Sequence, residues 1–201
     1  STLGGLDIYF DPSVGRLNTD ERGDFVGNFL GEDKVLVFFK DGSYELTNFE
    51  LTNRFDAENL LLIEKYDPES VVSSIYYDGI HKMHYVKRFV IETSTLNKKF
   101  NFISDHKQSK LIVVSTEKQP QVKVKFKLED GVEEKVYDMD MLIDVKGWKS
   151  VGNRLSNHKV TGVELVESVK QPEKKKDATD QEKKESGDSG EEDDKEQLGL
   201  F

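Results

Sequence analysis

An all-β protein built from repeated antiparallel hairpins is predicted by three features of the sequence. First, "KVLVFFKDGSYELT" (34–47) and "VVSSIYYDGIHKMHYVKRFVIET" (71–93) each set an Asp-Gly pair between two apolar, β-branched runs, the pattern of a strand, a tight turn and a returning strand. Second, Asp41-Gly42 and Asp78-Gly79 lie 37 residues apart, and a third hairpin, "KLIVVSTEKQPQVKVKFKL" (110–128), follows at a similar interval around Pro120. Recurrence at this spacing marks an array of blades. Third, no segment of useful length carries the 3.6-residue apolar period of a helix.

Along the chain, "SVGRL" (13–17) precedes the apolar run "DKVLVFF". "AENLLLIEKY" (57–66) holds an unbroken apolar run that fits a short helix or a buried strand. Asp130-Gly131 opens into "VEEKVYDMDMLIDV", and "SVGNRL" (150–155) repeats the earlier loop before "VTGVELVE". With about 40–45 residues per blade, residues 1–169 make three or four. From residue 170 the composition changes: through 196 the chain is Lys-, Glu- and Asp-rich without aromatic residues. It cannot bury enough apolar surface to offset its ordering entropy, so a disordered acidic tail is expected.

Composition narrows the function classes. The chain is 35% hydrophobic and 34% charged, with a mean hydropathy of −0.63, as suits one globular domain plus a polar extension. Its longest apolar runs are strand-sized, far below the roughly 20 residues of a membrane span. With no cysteine, thiolate metal sites and cysteine nucleophiles are excluded and a cytoplasmic setting is expected. The chain opens on "STLGG" rather than Met and is expected to be part of something longer. Its net charge of −10 is unevenly spread. Residues 1–69 carry −9, 129–170 carry −3 and 171–201 carry −5, while 70–128 carry +7. An acidic chain with one basic block can offer a polyanion a single cationic surface.

Four dispersed segments, "GLDIYFDPSVGRLNTDERG", "DGSYELTNFELTNRF", "YVKRFVIET" and "DVKGWKSVGNRLSNHKVTGVEL", together resemble the C-terminal domain of the A subunit of bacterial type II topoisomerases. The likeness is closer to topoisomerase IV than to DNA gyrase, and it covers nearly all of residues 1–169. The resemblance implies a β-pinwheel of four-stranded antiparallel blades, here three to four in a partial ring. It also implies a basic outer rim that binds and bends duplex DNA, a nucleoid setting, and a parent enzyme that is ATP-dependent, with its DNA-cleaving tyrosine in another domain. The implied partners are the rest of the A subunit, together with the ATPase B subunit. The glutamine-arginine-glycine box of gyrase has no match here.

Candidate DNA contacts follow from the basic block. In "VKVKFKL" (122–128), alternation puts Lys123, Lys125 and Lys127 on one face, about 7 Å apart, close to the spacing of phosphates along a strand. A solvated edge strand guarded by lysine is the competing reading. Lys87 and Arg88 adjoin at the end of the second hairpin, so only one of them is expected at the rim. Lys98, Lys99, Lys107 and Lys110 lie in or beside turns. In "KGWKSVGNRLS", Lys146, Lys149 and Arg154 add charge to a loop opened by Gly147 and Gly152. Its Trp148 is read as the packed ring that ties the loop down. A protein-interaction propeller with an acidic partner is the alternative function.

A self-contained enzyme finds no support. Gly147 and Gly152 have P-loop spacing, but Asn153-Arg154 stands where Lys-Ser/Thr is required. His81 and His84 fall on opposite faces of a strand. No cofactor or metal is implied. The tail closes on "QLGLF", where Gln197, Leu198, Leu200 and Phe201 resemble the bacterial sliding-clamp-binding pentapeptide and are expected to dock a partner at low ordering cost. The acidic tail is also a candidate competitor with DNA for residues 70–128.

Overall fold

The computed structural model describes residues 4–168; the expected acidic tail (170–196) and the 197–201 docking motif lie outside the described residues. In chain order the elements are β1 (Leu6–Asp11), β2 (Arg16–Asn18), β3 (Asp24–Phe29), β4 (Val35–Phe39), β5 (Ser43–Thr47) and β6 (Leu60–Lys65). There follow β7 (Val72–Asp78), β8 (Met83–Phe89), β9 (Phe100–Asn101) and β10 (Lys110–Ser115). The chain continues with β11 (Gln121–Leu128), β12 (Gly131–Asp138), α1 (Met139–Leu142), β13 (Asn153–Arg154) and β14 (Lys159–Val166). They form four antiparallel sheets, ordered β2-β1-β3, β6-β4-β5-β9, β10-β7-β8-β13 and β12-β11-β14. The fold is all-β, as expected, with blades of three and four strands and one short helix that the sequence did not foretell. The run 57–66 resolves to strand β6.

Each sheet packs on the next, and β4 shows why the apolar runs are unbroken. All five of its residues are buried. Val35, Val37 and Phe39 enter a core shared with Ile8, Phe10 and Phe29 of the first sheet. Leu36 and Phe38 enter the next, with Tyr76 and Phe89 of the third sheet. A third core joins Ile75 and Val86 to Val122, Val124 and Phe126 of the fourth. A blade with neighbours on both sides has two apolar faces, so alternation of polarity disappears from its central strands.

The sheets also exchange strands. In the second, third and fourth sheets a central hairpin is flanked by a strand pairing with its first arm: β6 with β4, β10 with β7, β14 with β11. The place beside the second arm is filled from farther along the chain. The strand β9 pairs with β5 although it lies between β8 and β10, and β13 pairs with β8 although it lies between β12 and β14. In the first sheet, Arg54 bridges Arg16 of β2. Successive blades are therefore interlocked by backbone hydrogen bonds as well as by apolar burial.

The hairpin turns depart from expectation in one detail. At the first, Gly42 alone takes the left-handed conformation (φ 82°), and a Cβ there would meet the Ile103 side chain at 2.2 Å. At the second, Asp78 pairs with Met83, leaving a four-residue loop whose left-handed position is Lys82 (φ 55°) rather than Gly79.

Candidate nucleic-acid interface

The loop 143–156, which carries three of the candidate cations, runs back along β8. The Lys146 amide donates to the Arg88 carbonyl at 2.9 Å, and the Leu155 amide to the His84 carbonyl at 2.9 Å. Between them the buried Tyr76 hydroxyl donates to the Val151 carbonyl at 2.7 Å. Gly152 (φ 90°) approaches β8 so closely that a Cβ would stand 2.3 Å from the Val86 carbonyl oxygen. Its close approach is to protein backbone, not to a ligand. The Trp148 ring meets Tyr44 edge-on at 6.3 Å and Phe100 at 5.9 Å, both on the second sheet. The loop is thus a clamp joining the second and third blades, and its free surface carries exposed Lys146 and Lys149.

Lys87 corrects the sequence reading. It is 2% exposed, and its ammonium donates to the backbone carbonyls of Phe102 and Trp148 beside the rings of Phe89 and Phe102. Burial pushes its pKa down to about 8. It is a structural pin and cannot reach DNA. Alternation misled because β8, like β4, has protein on both faces. Its neighbour Arg88 is half-buried, with Nε donating to Ser73 Oγ at 3.1 Å and Nη1 to the Ile143 carbonyl at 3.3 Å.

The lysine stripe is also altered by its surroundings. β11 is the middle strand of its sheet rather than an edge. Lys123 Nζ lies 3.3 Å from Glu164 and 3.8 Å from Glu134, and Lys125 Nζ lies 3.9 Å from Glu134. The hydrogen bond from Lys123 to Glu164 and the charges of both carboxylates hold the Lys123 pKa above its ordinary value. Lys127 differs: it is exposed, it stands opposite Lys159 of β14, and among the described residues neither has an acidic partner. Like charges directly opposed on a sheet destabilise it unless an anion sits between them.

Lys159 leads to a cationic groove among the described residues. A groove of about 490 Å³ is lined by Tyr77, Lys82, His84, Arg154, His158 and Lys159, with no acidic residue in its lining. It is assembled from the β7–β8 loop, β8, β13 and the start of β14. Lys110 lies close enough to His84 for its charge to add to burial in lowering the histidine pKa. The groove edge is tied down by hydrogen bonds. Asp78, 2% exposed, accepts from Ser104 Oγ at 2.7 Å, the Ile80 amide at 2.9 Å and the His81 ring. Burial would raise the Asp78 pKa, but these hydrogen bonds outweigh it and hold the carboxylate below its usual range.

Of the predicted contacts, Arg154 is in this groove, Lys110 beside it and Lys127 next to Lys159. Lys107 is exposed on the loop between β9 and β10. Lys98 and Lys99 lie just before β9 of the second sheet, their ammoniums 5.2 Å from the Phe100 ring and 4.1 Å from the Phe39 ring. Sequence reasoning missed Lys82, His84, His158 and Lys159. The available signal was that the four histidines, at 81, 84, 106 and 158, share segments rich in lysine. It also missed a second set: Arg16, Arg22 and Arg54 line one cavity of about 650 Å³ with Asn18 and Thr19. There Arg22 lies 3.4 Å from Asp20. The strongly acidic total for residues 1–69 hid this local cluster.

Among the described residues no three of His, Asp and Glu converge as metal ligands, and no helix is long and apolar enough to cross a membrane.

Known proteins share this architecture. The family model for the topoisomerase C-terminal domain, Bacteroidota, matches residues 16–167. The A subunit of DNA topoisomerase 4 from Borreliella burgdorferi is 31% identical over 106 residues. That alignment takes in 50% of this chain and 17% of the relative, so the chain spans a small part of that protein. The crystal structure of the C-terminal domain of DNA topoisomerase IV superposes with a TM-score of 0.55 at 11% identity. It covers 84% of this chain and 62% of that one, a likeness of fold.

Proposed function

The chain belongs to the topoisomerase C-terminal domain family, Bacteroidota, and we propose that it is the DNA-holding accessory domain of a type II topoisomerase A subunit. The observation that carries this reading is the groove of Lys82, His84, Arg154, His158 and Lys159 with no acidic lining residue. In a protein of net charge −10, a cationic surface attracts a polyanion while the remainder repels it. Its donors are ammonium, guanidinium and imidazole groups suited to phosphate oxygens, which position DNA without reading its sequence.

The distribution of cations supports bending as part of this reading. Cations of the first sheet (Arg16, Arg22, Arg54), the second (Lys98, Lys99) and the third and fourth (Lys110, Lys127, Arg154, Lys159) sit on successive blades. A duplex that engages them in turn must curve, at an elastic cost of about 1–6 kcal/mol for a 40–90° bend. Such a domain presents a DNA segment to the gate formed by the rest of the A subunit, which an ATPase B subunit drives, and it leaves cleavage to the parent. Gln197, Leu198, Leu200 and Phe201, outside the described residues, would dock the replication sliding clamp; the match of "QLGLF" to a clamp-binding pentapeptide supports that step.

The test is duplex binding by the full chain, with the two DNA ends labelled for energy transfer. Affinity that falls steeply with salt, together with shortening of the end-to-end distance on binding, supports the proposal. Salt-insensitive binding, or a preference for an acidic protein over duplex DNA, contradicts it.

A further inference from the structure

Among the described residues the fourth sheet is incomplete where its predecessors are closed. In the second and third sheets the outer side of the hairpin's second arm is covered by β9 and β13, and in the first by Arg54. In the fourth, the eight-residue β12 pairs with β11 alone among the described residues. Its far side is a row of backbone donors and acceptors ready to accept another strand. Val132 and Val136 are 69% and 55% exposed on it, although both are residues that favour strand interiors.

We propose that β12 pairs with β12 of a second copy of this chain, in one antiparallel register, to form a continuous six-stranded sheet across a two-fold axis. The segment "VEEKV" (132–136) is complementary to itself. With Glu134 on the axis, Val132 faces Val136 of the other copy, Glu133 faces Lys135, and each pair occurs twice by symmetry. The faces also agree. Register with β11 puts Glu133, Lys135 and Tyr137 on the side of Val122, Val124 and Phe126, and Val132, Glu134 and Val136 on the side of the lysines. The valines therefore meet on one face and the ion pairs form on the other. Lys135 and Glu133 already lie 3.4 Å apart within one chain, so the pairing in two copies closes a ring of four alternating charges.

The one unfavourable contact, Glu134 against its copy, is already compensated, since Lys123 and Lys125 both lie within 3.9 Å of its carboxylate. Moving the register by two residues keeps the faces aligned but opposes Lys135 to Lys135 or Glu133 to Glu133, with the valines facing charges. Edge charges that merely repel other chains have no need of self-complementary order. This pairing uses a surface separate from the cationic groove.

Sedimentation equilibrium of the full chain tests it. Wild type shows reversible dimerisation. Lys135→Glu turns both symmetric pairs into like-charge contacts and weakens the dimer at least about tenfold. Glu133→Lys combined with Lys135→Glu restores the order of charges and brings the dimer back to within about threefold of wild type. Circular dichroism confirms that each variant folds, as expected for side chains 44% and 52% exposed. A wild-type chain that stays monomeric up to about 1 mM, a dimer indifferent to Lys135→Glu, or a swap that fails to restore it, overturns the proposal.

Discussion

The buried ammonium of Lys87 donates to the backbone carbonyl of Trp148, 61 residues farther along the chain. The same group donates to the carbonyl of Phe102, so one lysine joins β8 to the segment after β9 and to the loop after α1. Where the sheet of the third blade meets the aromatic core of the second, a single cation satisfies two carbonyls that no strand partner reaches.

Truncating that pin has two readouts. Lys87→Ala leaves both carbonyls unsatisfied and opens a cavity, and is expected to cost about 2–5 kcal/mol in chemical denaturation. Its folded pKa of about 8 lies below its unfolded value. The unfolded chain therefore holds the proton over a range where the folded chain has lost it, and stability from this group rises from about pH 8 toward 10. Denaturation midpoints measured between pH 7.5 and 9.5 are expected to climb for wild type and to lose that contribution in Lys87→Met.

Gly152 fails by geometry alone. A Cβ at 2.3 Å from the Val86 carbonyl, on a backbone at φ 90°, forces the loop off β8. Gly152→Ala is expected to destabilise by about 2–4 kcal/mol. It should also release the Trp148 ring from Tyr44 and Phe100, read as a red shift of the fluorescence of the chain's one tryptophan.

Salt bridges divide the predicted lysines by strength of effect. Lys123 and Lys125 are held by Glu134 and Glu164, so Lys123→Gln with Lys125→Gln is expected to weaken duplex binding by less than about threefold. Lys127→Gln with Lys159→Gln removes two proposed phosphate partners that oppose one another. It should lower the slope of log affinity against log salt by nearly 2. Fluorescence anisotropy over a salt series measures both.

Acidification is expected to strengthen duplex binding. Burial, then the charge of Lys110, holds His84 below its ordinary pKa, so the free protein binds its proton only at low pH and loses stability from this group as pH falls below about 6.5. Phosphates beside it favour the protonated form. Duplex affinity is expected to rise from pH 7.5 to 5.5, with proton uptake on binding, and His84→Gln should flatten that rise.

How far the sequence spoke depends on what each residue faces. The hairpins around 41 and 78 were legible from turn chemistry, β11 from strict alternation, and the blade count from recurrence. Lys87 was not, because alternation separates two faces without saying that either is wet, and β8 lies between two cores. The Lys123 and Lys125 stripe was read correctly as one face. Its neutralisation was hidden, since Glu134 and Glu164 arrive on the flanking strands β12 and β14. The groove was least visible: its cations come from two stretches far apart in the sequence, 82–84 and 154–159, that the strand exchange through β13 brings together.

Whether that groove holds DNA is decided by reversing its charge. Lys82→Glu, Arg154→Glu and Lys159→Glu are combined in the full chain, and duplex binding is followed against salt beside wild type. Affinity is expected to fall at least about 100-fold at low salt, and the slope of log affinity against log salt to flatten by about 2 to 3. A folded triple variant that binds duplex DNA as wild type does, with an unchanged salt slope, contradicts a DNA-holding groove.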